Sequence, residues 1–128
     1  MPRRLISSAM PLERTFGYSR AVVVGERVFV SGTAPVMPDG AEPPFDAYGQ
    51  ARRCLEIVMA ALREAGARPE HVVRTRLYLT RAEDIEDVGR AHGEVFGDVR
   101  PATTGVIVSG LFDPRWLVEI EADAIIGP

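Results

Sequence analysis

The closing quarter of the chain carries the pattern that decides the fold. It reads Arg100-Pro-Ala-Thr-Thr-Gly-Val-Ile-Val-Ser-Gly110 and, after a short loop, Trp116-Leu-Val-Glu-Ile-Glu-Ala-Asp-Ala124. Because side chains alternate between the two faces of a strand, Glu119, Glu121 and Asp123 share one face of the second segment. The other face carries five apolar residues: Trp116, Val118, Ile120, Ala122 and Ala124. The sequence therefore predicts two closing β-strands, of which the second has an apolar face and an acidic face.

The first half of the chain predicts a hairpin followed by a long helix. Residues 16–24 and 28–31 are rich in β-branched and aromatic types on either side of a turn that contains glycine, which is typical of paired strands. After a loop rich in proline and glycine, apolar residues recur at the three- and four-residue spacing of a helix. We expect this helix to have Asp46 as its N-cap and to end at Gly66.

The remaining segments complete an α+β pattern. Residues 72–80 alternate between apolar and polar types, which predicts a half-exposed strand, and residues 82–96 predict a second, shorter helix. The order β-β-α-β-α-β-β predicts a mixed sheet with two helices packed on one face. Residues 1–14 show no clear period, and we expect them to form a loosely held lead-in. The whole chain, residues 1–128, is expected to be a single domain.

The sheet face opposite the helices is expected to be polar. If the strands are in phase, this face carries five polar or aromatic residues: Arg74, Arg76, Tyr78, Glu119 and Glu121. We expect Glu121 to pair with Arg74 or Arg76 across the sheet. Oligomerisation is one way to cover such a face and to form clefts between subunits.

The composition argues against several classes of function. The net charge of −3 and the isoelectric point of about 5.4 predict no basic surface for nucleic acid or for an anionic membrane. The apolar runs are too short to cross a bilayer, and no leader segment is expected. Cys54 is the single cysteine, which excludes an intrachain disulfide and is typical of a reducing compartment. We therefore expect a cytoplasmic protein.

Five short segments follow one another in an order that is typical of one protein family. They are Gly17-Tyr18-Ser19-Arg20-Ala21, Val28-Phe29-Val30-Ser31-Gly32-Thr33-Ala34-Pro35, Arg74-Thr75-Arg76-Leu77-Tyr78-Leu79, Arg100-Pro101-Ala102-Thr103-Thr104 and Val118-Glu119-Ile120-Glu121-Ala122. Through these segments the chain resembles the Rid/YjgF family of reactive intermediate deaminases, also labelled endoribonuclease L-PSP. The resemblance implies a chorismate-mutase-like α+β fold, a homotrimer and three ligand clefts between subunits.

The resemblance also implies roles for individual residues. Glu119 falls where the family has a glutamate that positions water, and Tyr18 falls where a tyrosine lies at the mouth of the cleft. These two residues are the expected catalytic pair. Ser31 and Gly32 match a Ser-Gly pair that contributes to substrate binding, for which backbone shape is the favoured explanation. The implied reaction is attack of water on an imine carbon with loss of ammonia, which requires no metal and no organic cofactor.

The chain departs from the family pattern at the turn before the closing strands. Thr103 stands where the family has an arginine that clamps the carboxylate of a 2-imino acid, and Thr104 stands where a serine follows it. Gly105 replaces a residue that is often cysteine. An arginine fork donates two charge-assisted hydrogen bonds, whereas a threonine hydroxyl offers one neutral bond. We expect these three positions to bind substrate through backbone groups, and we expect deamination of 2-imino acids to be weak or absent.

A few residues outside these motifs are secondary candidates. His92 lies on the apolar stripe of the second helix, where a packed or hydrogen-bonded histidine is favoured over a catalytic base. Arg100, Arg115 and Arg20 could each supply the positive charge that Thr103 lacks. The two histidines and the cysteine are too widely separated in sequence to predict a metal site.

The sequence thus favours a protein that hydrolyses or tautomerises a small imine, enamine or carbonyl metabolite in clefts between subunits. One alternative is a trimer that binds a metabolite or acts like a chaperone without catalysing a reaction. Ribonuclease activity has less support, because the chain is acidic and pairs no histidines for acid–base chemistry. The expected partners are other copies of the chain and a small-molecule ligand, without nucleic acid or a membrane.

Overall fold

The computed structural model describes residues 2–127, so Met1 and Pro128 of the expected 1–128 domain lie outside the described residues. One mixed sheet in the order β1-β2-β3-β6-β4-β5 forms its framework. The strands are β1 Arg3–Ile6, β2 Ala21–Val24, β3 Arg27–Thr33, β4 Val72–Leu79, β5 Ala102–Ile107 and β6 Val118–Ile125. Neighbouring strands are antiparallel, except that β5 runs parallel to β4. The predicted mixed sheet and α+β class are confirmed.

Three α-helices accompany the sheet: α1 Pro11–Phe16, α2 Ala47–Glu64 and α3 Ile85–Phe96. Helix α2 begins at the predicted cap, where the Asp46 side chain accepts a hydrogen bond from the Gly49 backbone N–H at 2.8 Å. It ends just before Gly66, whose φ of +88° is in the left-handed region that ends many helices. None of the helices within residues 2–127 is long and apolar enough to span a membrane.

The core lies between one face of the sheet and the two long helices. The apolar face predicted for β6 is directed inward, because Val118, Ile120 and Ala122 are fully buried. Leu55 and Leu62 of α2 belong to the same cluster of buried residues. Trp116 precedes the strand and is only partly buried. Burial of this alternating pattern therefore fixes which face of β6 meets the helices.

The N-terminal segment differs from the prediction. Residues 2–14 are not a loosely held lead-in, because β1 pairs with β2 and Ile6 is buried in the core. The carboxylate of Glu13 is also buried, and it accepts hydrogen bonds from Ser7 and Ser8. The strand predicted over residues 16–24 accordingly begins only at Ala21, after a short helix and a turn.

The sheet face opposite the helices is polar, as the alternation predicts. In the register between β4 and β6, Arg76 lies opposite Glu121 and Tyr78 lies opposite Glu119. Arg76 forms ion pairs with Glu121 at 3.3 Å and with Asp123 at 3.5 Å, and the Tyr78 hydroxyl donates to Glu121. Two of the three acids in the closing strand are therefore already paired, which leaves Glu119 distinct. We call this surface the open face.

Candidate functional site

A bulge in β3 shapes the backbone that lies next to Glu119. Val30 pairs with Ala122 and Thr33 pairs with Ile120, so β3 advances three residues while β6 advances two. Ser31 and Gly32 fill this interval, which is the pattern of a β-bulge. The Ser31 hydroxyl donates to the Ser19 carbonyl at 2.6 Å, so its observed bond ties the bulge to the segment before β2.

Gly32 leaves room for the Glu119 carboxylate, which lies directly against its backbone. A Cβ atom added to Gly32 would be 2.3 Å from Glu119 Oε2, far inside van der Waals contact. No other residue type leaves this space free. The close approach expected of the Ser-Gly pair is therefore an approach of the Glu119 carboxylate to the Gly32 backbone.

The environment of Glu119 favours retention of its proton. Partial burial raises the pKa of the Glu119 carboxyl, Arg20 opposes that rise, and the neighbouring charge of Glu121 adds to it. Desolvation and a nearby like charge both disfavour the ionised form of an acid. Glu119 is therefore suited to give and take a proton closer to neutral pH than an ordinary glutamate.

Arg20 is the cation beside this carboxyl. Its Nη2 donates to the Gly32 carbonyl at 2.7 Å, whereas its Nε is buried and has no hydrogen-bond acceptor in the structure. Burial lowers the pKa of the Arg20 guanidinium, and the nearby Tyr18, Glu13 and Glu119 partly oppose that effect. Within residues 2–127, no carboxylate oxygen lies within the 4.0 Å ion-pair distance of Arg20. We call Arg20, Gly32 and Glu119 the acid cluster.

Tyr18 lies two residues before Arg20, in the segment whose Ser19 carbonyl accepts a hydrogen bond from the bulge residue Ser31. Its side chain is exposed, and its backbone N–H donates to the Glu13 carbonyl at 2.9 Å. The structure therefore brings together Tyr18, Ser31, Gly32 and Glu119, four residues named from the sequence, around Arg20.

A second group of polar side chains links the sheet to α3. The hydroxyl of Thr75, which is fully buried, lies 2.8 Å from His92 Nε2 and 2.8 Å from Thr103 Oγ1. The Thr103 hydroxyl also lies 3.1 Å from the Pro101 carbonyl. The His92 ring packs against Phe96 with centroids 4.8 Å apart, and burial lowers the pKa of His92. We call Thr75, His92 and Thr103 the hydroxyl cluster.

The two clusters lie on opposite faces of the sheet. Thr75 and Thr103 are paired in register and directed toward α3, whereas Glu119 and its neighbour Tyr78 are on the open face. Thr103 and Glu119 therefore do not lie in one site within a single chain, although the sequence predicted that they share one.

The other two turn residues, Thr104 and Gly105, lie on different faces of the sheet. Thr104 is in register with Arg76 and thus belongs to the open face. Gly105 lines a groove of about 230 Å³ between α3 and the β4–β5 edge, with Leu77 and Val88 among its apolar neighbours. Glu119 does not line this groove.

None of the three candidate arginines forms a hydrogen bond or an ion pair with Glu119 within residues 2–127. Arg115 binds Asp113 through Nε at 3.0 Å and Nη2 at 2.7 Å, and these bonds lower the pKa of Asp113 to about 2. Arg100 is exposed in a turn with a φ of +55°. The sequence named Arg20 as one of three possible cations, but it gave no sign that Arg20 lies near Glu119 without a carboxylate at ion-pair distance within residues 2–127.

Metal-binding and thiol chemistry have little structural basis in residues 2–127. No three His, Cys, Asp or Glu side chains in this part of the chain are grouped so that they could hold a metal ion. Cys54 is buried, its Sγ lies 3.7 Å from the Val118 carbonyl, and burial raises the pKa of its thiol. A buried thiol that keeps its proton is a packing group and a poor nucleophile.

Comparison with known proteins identifies a matching family and several relatives. A family model described as endoribonuclease L-PSP matches residues 9–126. SCO2049 of Streptomyces coelicolor, named as an uncharacterised protein, is 40% identical over 124 residues, which cover 97% of this chain and 92% of that protein. TdcF of Escherichia coli, provisionally named a reactive intermediate deaminase, is 31% identical over 112 residues, which cover 84% of this chain and 85% of TdcF.

Solved structures agree with this assignment. Rv2704 of Mycobacterium tuberculosis, described as a member of the YjgF/YER057c/UK114 family, matches with a TM-score of 0.89 and 41% identity, covering 98% of this chain and all of that chain. The structure of Escherichia coli TdcF with bound serine matches with a TM-score of 0.80 and 29% identity, covering 95% of this chain and 93% of TdcF. The chain therefore belongs to the endoribonuclease L-PSP family, the Rid/YjgF family that its sequence motifs resemble.

Proposed function

We propose that the protein hydrolyses or tautomerises a small imine, enamine or carbonyl metabolite, with Glu119 as the residue that moves the proton. The observation that carries this proposal is a half-buried carboxyl with a raised pKa, held against Gly32 beside a cation. Such a group can act as an acid and as a base in one reaction. The provisional deaminase name of TdcF supports the same class of chemistry.

The proposed hydrolysis uses one water molecule and returns the proton to the leaving group. The Glu119 carboxylate accepts a proton from water while the water oxygen bonds to the carbon of the protonated imine, which gives a neutral carbinolamine. The carboxyl then protonates the nitrogen, and the carbon–nitrogen bond breaks as the hydroxyl oxygen gives its proton back to the carboxylate and becomes the carbonyl. The departing ammonia takes up that proton and leaves as ammonium, which returns Glu119 to its starting state. In the tautomerisation of an enamine, the same carboxyl protonates carbon and accepts the proton from nitrogen. Tyr18, exposed beside the acid cluster, orients the ligand.

The site is proposed to be completed between three copies of the chain in the cytoplasm. Thr103 and Glu119 face opposite sides of one sheet, so a neighbouring subunit is needed to bring the β5 turn to a Glu119 carboxyl. All six residues of β5 are exposed, and they include the apolar Val106 and Ile107 at the sheet edge. An exposed edge strand with apolar side chains is a natural subunit contact. Light scattering on the purified protein tests the trimer, and a monomer would contradict it.

At the β5 turn, the neutral hydroxyl of Thr103 replaces the guanidinium that the family pattern places there. We therefore propose that this turn binds ligand oxygen atoms through backbone groups and does not clamp a carboxylate. Deamination of 2-imino acids should be slower than in a Thr103→Arg variant of the same protein. Equal rates in the two proteins would contradict this proposal.

The test of the catalytic proposal follows the decay of imines generated in situ. An amine oxidase and an amino-acid oxidase supply neutral imines and 2-imino acids, and trapping with semicarbazide reports how much imine remains. The wild-type protein should accelerate the loss of at least one imine. Glu119→Gln should lower that rate by about 100-fold or more, because it removes the proton-transfer group.

Asp123→Asn is the matched control, because Asp123 lies on the same face of β6 but is paired with Arg76. Its rate should stay close to that of the wild type. Full activity in Glu119→Gln would overturn the assignment of Glu119. Failure of the wild type to accelerate any imine, enamine or ketone tautomerisation would favour the alternative of a metabolite-binding trimer without turnover.

A further inference from the structure

The groove between α3 and the β4–β5 edge has a lining without polar side chains. Leu77, Val88 and Ile107 are among the eight residues around its volume of about 230 Å³, and none of the eight has a polar side chain. Leu77 and Val88 are buried, whereas Ile107 is 50% exposed, so the groove opens to solvent. An open apolar groove of this kind is typical of a binding site.

Two glycines line this groove, although the fold requires glycine at neither position. Gly89 lies inside α3 and Gly105 lies inside β5, and neither has a positive φ. An added Cβ would meet no atom within 4 Å at Gly89, and only Leu77 atoms at 4.0 Å at Gly105. Glycine inside a helix or a strand lowers stability relative to alanine. The packing of the chain therefore does not explain these two glycines, whereas an occupant of the groove does.

The groove continues from the turn that the proposed function brings to a neighbouring Glu119. Thr103 and Gly105 share the face of β5 that is directed toward α3, because Thr103 is in register with Thr75 and Gly105 with Leu77. Two residues of a strand span about 7 Å. A ligand whose reacting end lies at the Thr103 turn can therefore place its other end beside Gly105, within the groove.

The lining favours a hydrocarbon group and disfavours a charge. A carboxylate in the groove would lose its water without gaining a partner from any of the lining side chains. An apolar cavity of about 150 Å³ can hold a benzene molecule. The groove, of about 230 Å³, is therefore large enough for a phenyl ring or a branched alkyl chain.

We propose that the groove binds the apolar substituent of the substrate, so that the substrate class is a neutral imine, enamine or ketone with a phenyl-sized hydrocarbon group. This inference rests on the proposed function, because it names the substrate of the same intersubunit site. It agrees with the neutral Thr103 at the turn, where the family pattern has an arginine for a carboxylate. Gly89 and Gly105 are then specificity-determining residues, because a side chain at either position would take the space of the substituent.

The experiment compares three unreactive probes: phenylacetamide, acetamide and phenylacetate. Acetamide lacks the phenyl ring, and phenylacetate has a carboxylate in place of the neutral amide. Binding to the complete protein is measured by ligand-observed NMR. Phenylacetamide should bind about tenfold or more tightly than acetamide, because burial of a phenyl ring is worth at least that factor. It should also bind more tightly than phenylacetate. Equal binding of the two amides, or binding of phenylacetate that equals or exceeds that of phenylacetamide, would overturn the proposal.

Two variants fill the groove, and a third is their matched control. Gly89→Val and Gly105→Val should each lower the affinity for phenylacetamide by about tenfold and reduce its preference over acetamide. Gly93→Val makes the same change one turn further along α3, at a glycine that does not line the groove and whose Cβ also meets no atom within 4 Å, so it should bind phenylacetamide as the wild type does. Because valine fits at both groove positions without a clash, neither variant should lower Tm. An unchanged preference in both groove variants would contradict the proposal.

The outcomes also separate this inference from the proposed function. An amine oxidase converts phenethylamine and ethylamine into imines that differ only in the phenyl ring, and the first imine should be hydrolysed faster. If both are hydrolysed at the same rate and phenylacetamide is not preferred, the role of the groove is wrong and that of Glu119 stands. If the preference for phenylacetamide depends on Gly105 but no imine, enamine or ketone is turned over, the groove assignment stands and the catalytic proposal is wrong.

Light scattering on the same variants distinguishes a ligand from a second copy of the chain as the occupant. If no probe shows a preference for the phenyl ring and Gly89→Val or Gly105→Val breaks the assembly, a neighbouring subunit fills the groove and the ligand proposal is wrong.

Discussion

The acid cluster and the hydroxyl cluster occupy opposite faces of one sheet and differ in how their polar atoms are satisfied. In the hydroxyl cluster, the Thr75 hydroxyl bridges His92 and Thr103 with two contacts of 2.8 Å. In the acid cluster, Arg20 keeps a buried nitrogen without an acceptor beside a carboxyl whose pKa burial raises. Satisfied networks stabilise a fold, whereas a buried donor without an acceptor lowers its stability. The comparison therefore predicts that the hydroxyl cluster contributes mainly to stability, and it supports the proposal that the acid cluster serves catalysis.

The largest effect is expected when a methyl group is added to the acid cluster. In Gly32→Ala, the new Cβ would displace the Glu119 carboxylate, which lies 2.3 Å from that position. A flexible carboxylate can move at little cost in stability, but a displacement of about 1 Å at a reacting group can lower turnover by about 100-fold. Imine hydrolysis and Tm should both be measured.

Gly93→Ala is the control for this substitution, because a Cβ at Gly93 would meet no atom within 4 Å. It should leave imine hydrolysis unchanged. If Gly32→Ala retained full activity, the functional assignment of the acid cluster would be lost.

The next effect is expected in the hydroxyl cluster and concerns stability. Thr75→Val keeps the shape of a fully buried side chain but removes the hydroxyl that bridges His92 and Thr103. Leaving buried groups without partners should lower the free energy of unfolding by about 1–3 kcal/mol. Urea unfolding measures it, with Thr104→Val on the open face as a control that should change stability by less than about 0.5 kcal/mol. Equal stabilities of Thr75→Val and Thr104→Val would contradict the stabilising role of the hydroxyl cluster.

A smaller loss is expected at the exposed end of the same cluster. Thr103→Val removes a hydroxyl whose side chain is solvent-exposed, so water can replace part of what it provides. The free energy of unfolding should fall by about 0.5–1 kcal/mol, the usual net value of one hydrogen bond. Urea unfolding of Thr103→Val beside Thr75→Val gives the order of the two effects. A loss larger than that of Thr75→Val would mean that Thr103, not Thr75, is the central member.

The smallest effect is a pH dependence of stability at the acid cluster. The pKa of Glu119 is raised in the folded protein, so its contribution to stability is fully present below the unfolded pKa and is lost as pH rises through the folded pKa. Glu119→Gln cannot ionise and should therefore have a slightly higher Tm than the wild type at neutral pH. Thermal unfolding across the acidic range should show this gain disappearing as the pH falls. A gain that is constant with pH would contradict the raised pKa.

The sequence was sufficient to predict the elements in which apolar and polar side chains alternate regularly. The alternation in the closing strand predicted both the buried Val118 and Ile120 and the polar position of Glu119. The N-terminal strand and helix were missed because four and six residues are too few to show a period. Prediction thus succeeded for elements that run long enough to repeat their pattern.

The relations within the site depend on tertiary contacts and could not be predicted in the same way. Thr75 meets His92 and Thr103 across 17 and 28 residues of sequence, and no local pattern indicates such a meeting. That Arg20 forms no ion pair within residues 2–127 follows from the positions of all neighbouring carboxylates, which only the whole fold determines. The family motifs named Glu119 and Thr103 together, but the register of the strands places them on opposite faces.

The bulge at Ser31 and Gly32 changes which residues of β3 face the core. Before it, the even-numbered Val28 and Val30 are directed into the core, and after it the odd-numbered Thr33 takes that direction. Deleting one of these two residues would give a regular ladder in which Thr33 still lies opposite Ile120 and faces the core. The core therefore does not need the extra residue of β3, whose consequence is confined to the backbone against which the Glu119 carboxylate lies.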